Sequence, residues 1–371
     1  MTTSDAVAES FAEEVGTAGL MVTCGPGGVG KTTTAAALGV AAARAGRRVV
    51  VVTVDPARRL ADALGLDAGA AADAPHQVTG LPGVGKGELW ALMLDAASTF
   101  DRLVREQTSS QKQADAILEN PVYRAISGSL SGAQEYMAIE RLHQLHTSGE
   151  WDLVIVDTPP SRHAIDLLEA PDRLIGFLGH PVYRTLTAGQ RAFAKVTNAA
   201  ASMFLWAVRR LAGPQIVEDT VEFFRSLANI EPGLRSRAEE VSVLLRSPAA
   251  TFVVVSSPRA EAVGEAEHMI GALRDGDFPF AGVVVNLIHP MPEPLTPADR
   301  AALADIGDGP LADHVAWHDE LTDLDTAERD EIAILADLAE DVVVVELPLM
   351  SVDVHDVDGL IGLADRLVGG K

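Results

Sequence analysis

Short runs of apolar, mostly β-branched residues alternate along this chain with longer segments of helical spacing. Such alternation is typical of a mostly parallel sheet with helices on both faces. The pattern predicts strands at 19–24, 48–54, 89–94, 152–157, 251–257, 281–286 and 341–347. Residues 31–45 are strong helix formers and Gly46 is a suitable C-cap, so a helix is expected soon after the first strand.

Two segments contain no apolar run of the strand type and have helical periodicity throughout. The first, 97–148, is interpreted as a helical layer on the sheet. The second, 163–248, is interpreted as a helical subdomain inserted in the α/β core. No internal repeat and no low-complexity linker separates these parts, so residues 1–371 are expected to form a single doubly wound α/β domain.

The net charge of −24 argues against a nucleic-acid or anionic-membrane surface, since both require a basic face. Cys24 is the only cysteine, which excludes an internal disulfide and any CxxC zinc or redox motif. The N-terminus is acidic without an apolar core, and no run of about 18 apolar residues occurs. These features predict a cytoplasmic protein.

The stretch "CGPGGVGKTT" (24–33) carries the clearest chemistry, because Gly25-x4-Gly30-Lys31-Thr32 fits the GxxxxGK[ST] phosphate loop between a strand and a helix. Backbone N–H groups and the helix N-terminus favour phosphate oxygens there. Lys31 is expected to neutralise the β- and γ-phosphates, and the Thr32 hydroxyl to ligate Mg²⁺. The sequence therefore predicts a P-loop NTPase sheet that binds ATP and Mg²⁺. The predicted nucleotide-binding residues of this loop are Gly25, Gly27, Gly28, Val29, Gly30, Lys31, Thr32 and Thr33.

A second stretch, Gly80-Leu-Pro-Gly-Val-Gly85-Lys86-Gly87, has the same spacing up to its lysine. It follows a polar loop and runs into a predicted strand instead of a helix. It also has Gly87 where Mg²⁺ needs a hydroxyl. We interpret it as a turn.

The order of "GPGGVGKTT", "VVTVDPARRLADALG" and "WDLVIVDTPPSRHAIDLL" resembles the family of arsenite-pump ATPases and tail-anchored-protein targeting ATPases, within the deviant-Walker group. MinD-type proteins of that group are a poorer fit, and the C-terminal segment lacks the basic amphipathic helix expected of them. The resemblance covers the sheet core from 19 to 360. It implies a dimeric ATPase whose nucleotide state switches its conformation.

Several site residues follow from this resemblance. Asp55 matches the switch I aspartate that orients the attacking water, which makes Asp55 and Lys31 the expected catalytic residues; a plain Asp-Pro turn is the alternative. Asp157 is expected to reach the Mg²⁺ shell together with Thr32; a helix cap is the alternative. Residues 158–163 match switch II, although Ser161 and Arg162 replace the usual Thr-Gly.

Two further positions match the adenine pocket of the family. Asn286 follows the run "VVV", and its amide can donate to and accept from a purine edge; a strand-end turn is the alternative. Pro348 lies in the looser match "ELPLMSVDVHDV", where relatives close the pocket.

Pro26 departs from the family, which normally has there a lysine that reaches the phosphates of the other subunit. A trans cation of this kind is worth roughly 10³–10⁵ in rate, and proline has neither a charge nor an N–H. Three readings remain open: a heterodimer with a lysine-bearing paralogue, a homodimer with another cation, or a slow nucleotide-binding regulatory subunit. The candidate cations are Arg58, Arg59 and Arg162.

The object on which the ATPase acts is less well defined. One thiol cannot form the multi-cysteine site that soft As(III) requires. The segment 191–214 places apolar residues on one helical face, which suits a groove for an apolar protein client or a membrane partner. Packing on the domain core is the alternative, and the single methionine of the segment weakens the client reading.

Overall fold

The computed structural model describes most of the sheet and the helices that cover it. The described residues are 11–54, 59–64, 73–83, 85–120, 133–181, 183, 223, 226, 228, 230–291, 293–303, 310–339, 342–351, 354 and 356–369, with only the backbone of 59, 96, 97, 133, 134 and 161–163. The strands are β1 (Leu20–Cys24), β2 (Arg48–Thr53), β3 (His76–Gln77), β4 (Glu88–Met93), β5 (Leu153–Asp157), β6 (Ala250–Ser256), β7 (Phe280–Ile288) and β8 (Val343–Pro348).

Eleven helices of the described residues are numbered here in chain order. They are α1 (Lys31–Arg44), α2 (Arg59–Ala63), α3 (Ala96–Gln107), α4 (Gln111–Leu118), α5 (Ala133–Thr147), α6 (Ser161–Gly179), α7 (Glu231–Leu245), α8 (Ala260–Asp275), α9 (Pro297–Leu303), α10 (Pro310–Leu338) and α11 (Val357–Leu367). Residues 11–17 are also helical. Among the described residues, no helix is both long enough and apolar enough to cross a membrane.

The eight strands form one sheet in the order β3-β4-β2-β5-β1-β6-β7-β8. All pairings are parallel except that of β3 with β4. The seven predicted strands are present within two residues of their predicted bounds. The mostly parallel α/β fold predicted from the sequence is therefore confirmed. Strand β3 was not predicted, because two residues are too short to show a periodicity.

Helices cover both faces of the sheet, which explains why its strands read as continuous apolar runs. All five residues of β1 are buried. Leu20 and Val22 contribute to a hydrophobic cluster with α5, α6, α7, α8 and α10, whereas Met21 contributes to the opposite cluster with α1 and α11. The chain is thus doubly wound around its central strand.

A third hydrophobic cluster lies among the helices of the two strand-free segments. It joins α3, α4, α5, α6 and α7 through residues such as Val104, Ile117, Met137, Leu178 and Leu234. Helices therefore do occupy the described parts of 97–148 and 163–248. Whether these parts form a separate layer and an inserted subdomain stays a prediction, and the predicted apolar face at 191–214 lies outside the described residues.

One prediction about turns is confirmed, and the predicted helix cap at Gly46 is off by one residue, because Ala45 is the C-cap. The stretch from Gly80 to Gly87 forms turns at 82–83 and 85–86 and leads directly into β4, so it has no helix N-terminus for a phosphate. Helix α1 ends at Arg44, and Gly46 follows its cap residue with a φ of 95°. Glycine adopts this left-handed conformation without steric cost.

The carboxyl ends of three neighbouring strands, β2, β5 and β1, meet at one end of the sheet. Thr23 of β1 and Thr53 of β2 are both register partners of Asp157, the last residue of β5. In doubly wound sheets, ligands bind in the crevice outside the carboxyl ends of the strands. The predicted phosphate loop leaves β1 at this end of the sheet, so the candidate site lies there.

Candidate functional site

The loop between β1 and α1 adopts a backbone conformation that disfavours residues other than glycine at several positions. Gly25 has a φ of 141°, and a Cβ atom at this position would overlap the carbonyl oxygen of Val255. Gly30 has a φ of 90°, and its Cβ would overlap Nδ2 of Asn286. Gly28 also has a positive φ, of 76°. Left-handed backbone of this kind turns N–H groups toward a common centre, which suits an anion.

The N-terminus of α1 is arranged for a negatively charged ligand. Gly30 is its N-cap, no described side chain caps the helix, and its first turn contains no acidic residue. The first N–H groups of a helix and its dipole both favour an anion at this end. Lys31 is buried, and its Nζ donates to the carbonyl oxygen of Pro26 at 2.6 Å. The ammonium group therefore lies within the loop and adds positive charge to it.

Asp157 connects the phosphate loop to the neighbouring strand. Its Oδ2 accepts a hydrogen bond from Thr32 Oγ1 at 2.8 Å and another from Thr53 Oγ1 at 3.0 Å. Its side chain is almost fully buried, with 1% exposed. Three elements, α1, β2 and β5, thus converge on one carboxylate, and the two predicted metal residues Thr32 and Asp157 lie side by side.

The chemistry of these donors fits Mg²⁺. A hydroxyl and a carboxylate are hard oxygen ligands, and Mg²⁺ in phosphate sites is usually bound by one or two protein oxygens together with waters and phosphate oxygens. Thr32 and Asp157 are close enough to share one hydrogen bond, so both can reach the same hydrated cation. Their role as Mg²⁺ residues remains a proposal.

The side chains of the residue expected to orient the attacking water and of the candidate cations lie outside the part of the chain that the structure describes. Val54 directly follows β2, and its N–H donates to the carbonyl oxygen of Asp157 at 3.2 Å. Asp55 and Arg58 lie outside the described residues, as do the side chains of Arg59, Arg162 and His163. The residue before Asp55 therefore lies beside the end of β5. The role of Asp55 itself stays a prediction.

The segment that follows β5 passes directly beside the phosphate loop. Thr158 Oγ1 donates to the carbonyl oxygen of Thr23 at 2.8 Å, which ties the segment to β1. A Cβ atom at Gly27 would lie 3.8 Å from Cγ of Pro160, the N-cap residue of α6. The predicted switch II segment therefore starts beside the loop, and α6 begins directly after Pro160.

Asn286 makes a contact that the sequence did not predict. It lies within β7 and is 7% exposed, and its Nδ2 donates to the carbonyl oxygen of Val29 at 2.9 Å. The predicted adenine residue is thus also a direct support of the phosphate loop. Pro348, the other predicted pocket residue, ends β8 and pairs with Ile288.

A buried carboxylate on α10 was missed by sequence reasoning. Glu328 Oε2 accepts from the backbone N–H of His289 at 2.9 Å, and Oε1 lies 2.6 Å from Nδ1 of the same residue. Glu328 is 4% exposed and shares the inner face of α10 with Ile332 and Leu335. The sequence signal that points to Glu328 is its spacing, because it precedes the buried aliphatic residues Ile332 and Leu335 by four and seven positions on one helix.

Cys24 is sealed inside the sheet beneath the phosphate loop. It is fully buried, and its Sγ lies 3.7 Å from the carbonyl oxygen of Val253. Burial raises the pKa of its thiol to about 12, although Lys31 acts in the opposite direction. The group stays protonated at neutral pH, and a thiol in this state is neither a nucleophile nor a ligand for a soft metal.

Comparison with known proteins agrees with this geometry. The family model described as anion-transporting ATPase matches residues 19–296. An ATPase ASNA1 homolog of Dictyostelium discoideum is 27% identical over 270 residues, which cover 71% of this chain and 70% of that protein. ATPase GET3C of Arabidopsis thaliana is 27% identical over 282 residues, which cover 72% and 66%. ATPase GET3 of Malassezia globosa is 24% identical over 346 residues, which cover 93% and 89%.

Proposed function

Because this chain belongs to the anion-transporting ATPase family and is an ATP-hydrolysing enzyme, we propose that it works as a Mg-ATP-dependent switch in the cytoplasm. ATP binding closes a dimer, and hydrolysis reopens it. The change of state is coupled to the handling of an apolar protein client or a membrane partner. The handling of a client or membrane partner is proposed because the chain resembles the tail-anchored-protein targeting branch of the family.

One observation supports the proposal above the others. Thr32, Thr53 and Asp157 are linked by two hydrogen bonds directly beside the buried Lys31 and the open N-terminus of α1. A cation for the phosphates, oxygen donors for Mg²⁺ and backbone N–H groups are therefore within one small volume. A merely structural loop has no need of all three.

In this proposal each residue has a defined task. The backbone of 25–30 and the Lys31 ammonium bind the phosphates and stabilise the charge that develops on their oxygens. Thr32 and Asp157 hold Mg²⁺, which when bound neutralises charge on the β- and γ-phosphates. Asp55 orients the water for in-line attack. Asn286 and Pro348 line the adenine site.

The switch is proposed to act through the segment after β5. Pro160 already lies beside Gly27, so a γ-phosphate in the loop would have this segment as its neighbour. Loss of the γ-phosphate then removes a contact at the N-terminus of α6, a known way of changing a helix position. Helix α6 packs in the helical cluster with α5 and α7 through Ala170 and Leu178, and this cluster would carry the movement onward.

The dimer partner is proposed to supply the missing cation. Pro26 presents a carbonyl oxygen to Lys31 and has no charge to offer a second subunit. A lysine-bearing paralogue would send its lysine into the site of this chain, whereas the partner's own site would receive none in return. A homodimer that uses Arg58, Arg59 or Arg162 is the second arrangement.

Turnover measurements distinguish these arrangements. ATP hydrolysis is measured for the purified chain alone, for its mixture with a lysine-bearing paralogue, and for Pro26→Lys. Pro82→Lys, which adds the same charge to an exposed turn, is the matched control. The heterodimer predicts slow turnover alone and a gain of roughly 10³-fold in the mixture.

Rapid turnover of the chain alone would disprove the need for a partner. A mixture and a Pro26→Lys variant that both stay inert would instead favour a regulatory subunit that binds nucleotide without hydrolysing it.

A further inference from the structure

The ladder between β7 and β8 is interrupted where Asn286 leaves it. The register shifts between Val285 and Ile288, and Leu287 has a φ of 64°. A leucine in the left-handed region is sterically disfavoured, so surrounding contacts must hold it there. The interruption lets the Asn286 amide reach the carbonyl oxygen of Val29 in the phosphate loop.

The far side of this interruption is held by two contacts. The carbonyl oxygen of Ile288 accepts from the N–H of Leu349 at 2.7 Å. The next residue, His289, has its backbone N–H and its ring nitrogen Nδ1 both bonded to the Glu328 carboxylate, at 2.9 and 2.6 Å. The buried Glu328 carboxylate therefore provides the acceptor for the N–H of the residue that directly follows β7.

Helix α10 is itself fixed where Glu328 lies. Arg329 Nη1 forms an ion pair of 2.5 Å with Glu346 of β8, and its Nε lies 3.7 Å from Asp325. Ile332 and Leu335 of the same helix are buried in the sheet core. The carboxylate of Glu328 consequently has little freedom to follow His289 if that segment moves. It can act as an anchor.

We infer that Glu328 is a positioning residue for nucleotide binding: by holding His289, it keeps Leu287 in its strained conformation and the Asn286 amide at the phosphate loop. Glu328 itself does not touch the nucleotide. The inference rests on the proposed function in one respect, namely that Asn286 contacts the adenine base.

The test compares Glu328→Ala and Glu328→Gln in the full chain. ATP and GTP affinities are measured by calorimetric titration, and KM and kcat by turnover. We expect Glu328→Ala to weaken ATP binding and raise KM about tenfold, and to reduce the preference for ATP over GTP, with kcat changed less than about twofold. Glu328→Gln retains an oxygen acceptor for the His289 N–H, so it should bind as the original chain does.

Two further variants complete the test. Asp330→Ala removes an exposed carboxylate from the same helix and should change neither affinity nor preference. His289→Ala removes the ring contact but keeps the backbone N–H, so it should show a smaller loss than Glu328→Ala. Because the His289 side chain is 39% exposed, this variant remains informative if Glu328→Ala does not fold.

Asn286→Ala separates the positioning role of Glu328 from the proposed adenine contact of Asn286. If Asn286→Ala weakens ATP binding and the double variant with Glu328→Ala is no weaker, the two residues act along one path and the inference is supported. If Asn286→Ala weakens binding while Glu328→Ala and His289→Ala do not, or while the losses simply add, only the positioning role of Glu328 is disproved. If Asn286→Ala has no effect, the adenine role proposed for Asn286 fails, and the inference fails with it.

Discussion

Thr53 at the end of β2 donates a hydrogen bond of 3.0 Å to Asp157 at the end of β5. The two residues are also register partners in the sheet, so the bond joins adjacent strands at the end of the sheet where the phosphate loop begins. Its acceptor oxygen is the one that Thr32 also contacts. The position of the proposed Mg²⁺ carboxylate is therefore determined by the sheet itself.

Replacing Asp157 tests the metal role directly. Asp157→Asn keeps the shape and an oxygen acceptor but removes the negative charge. We expect ATP turnover to fall by about 100-fold or more and the Mg²⁺ concentration for half-maximal activity to rise. Turnover as a function of Mg²⁺ concentration measures both. Unchanged Mg²⁺ dependence would show that Asp157 is only a structural residue.

Thr53→Val removes one donor without changing the size of the side chain. The lost hydrogen bond is worth about 1 kcal/mol, so we expect a few-fold increase in the Mg²⁺ requirement and a small fall in melting temperature. Thr326→Val is the matched control, because the exposed Thr326 hydroxyl donates to the carbonyl oxygen of Thr322 within its own helix. An effect at 326 as large as that at 53 would contradict this role of Thr53.

Gly30→Ala tests the close approach of Asn286 to the phosphate loop. The added methyl group would overlap Asn286 Nδ2 and would also require a φ of 90°. We expect ATP affinity to fall by at least about tenfold, together with a loss of stability of about 1–2 kcal/mol. Isothermal titration and thermal unfolding measure the two effects.

The control for this variant is Gly264→Ala in α8, where a Cβ would meet no atom within 4 Å. Alanine is favoured over glycine in a helix by about 0.5–1 kcal/mol, so this variant should keep its ATP affinity and melt slightly higher. Similar behaviour of the two variants would argue that the loop does not need glycine at position 30.

Glu140 predicts a pH dependence of stability that is separate from catalysis. Burial raises the pKa of Glu140 from 4.5 to about 7, although Gln144, Arg237 and Tyr136 stabilise its charged form. The folded chain therefore retains a proton that the unfolded chain has lost. The resulting stabilisation is complete below pH 4.5 and disappears as the pH rises through 7.

Glu140→Gln should remove this dependence. The original chain loses stability as the pH rises from 5 to 8, whereas the variant does not. The unfolding free energy of the variant minus that of the original chain should therefore increase over this range by an amount on the order of 3 kcal/mol. Thermal or denaturant unfolding at several pH values measures the difference, and Glu239→Gln on the exposed side of α7 is the control. A constant difference between the two chains across this range would rule out a raised pKa at Glu140.

The strands were predictable because most of them are buried on both faces and therefore apolar over their whole length. Val49 to Val52 form such a run, and β2 contains it entirely. The phosphate loop was predictable for a similar reason, since Gly25, Gly30, Lys31 and Thr32 are close in sequence. Local patterns reveal local geometry.

The contacts between distant residues were not predictable in this way. Glu328 and His289 are far apart in sequence, and so are Asn286 and Val29. The bulge at Leu287 that makes the second contact possible leaves no mark in the hydrophobic pattern. The place of Asp157 at the end of a strand was predictable because a strand end is visible in sequence, but its bond with Thr53 requires knowledge of which strands are neighbours.

The burial of Cys24 makes the chain well suited to spectroscopic study. Its thiol is enclosed by the sheet and protonated, so maleimide dyes and spin labels should not react with it in the folded protein. A single cysteine introduced at an exposed site would then carry one label per subunit, without any need to delete the original sulfur. In the proposed dimer, the distance between labels on its two subunits would then test the proposed opening and closing during ATP hydrolysis.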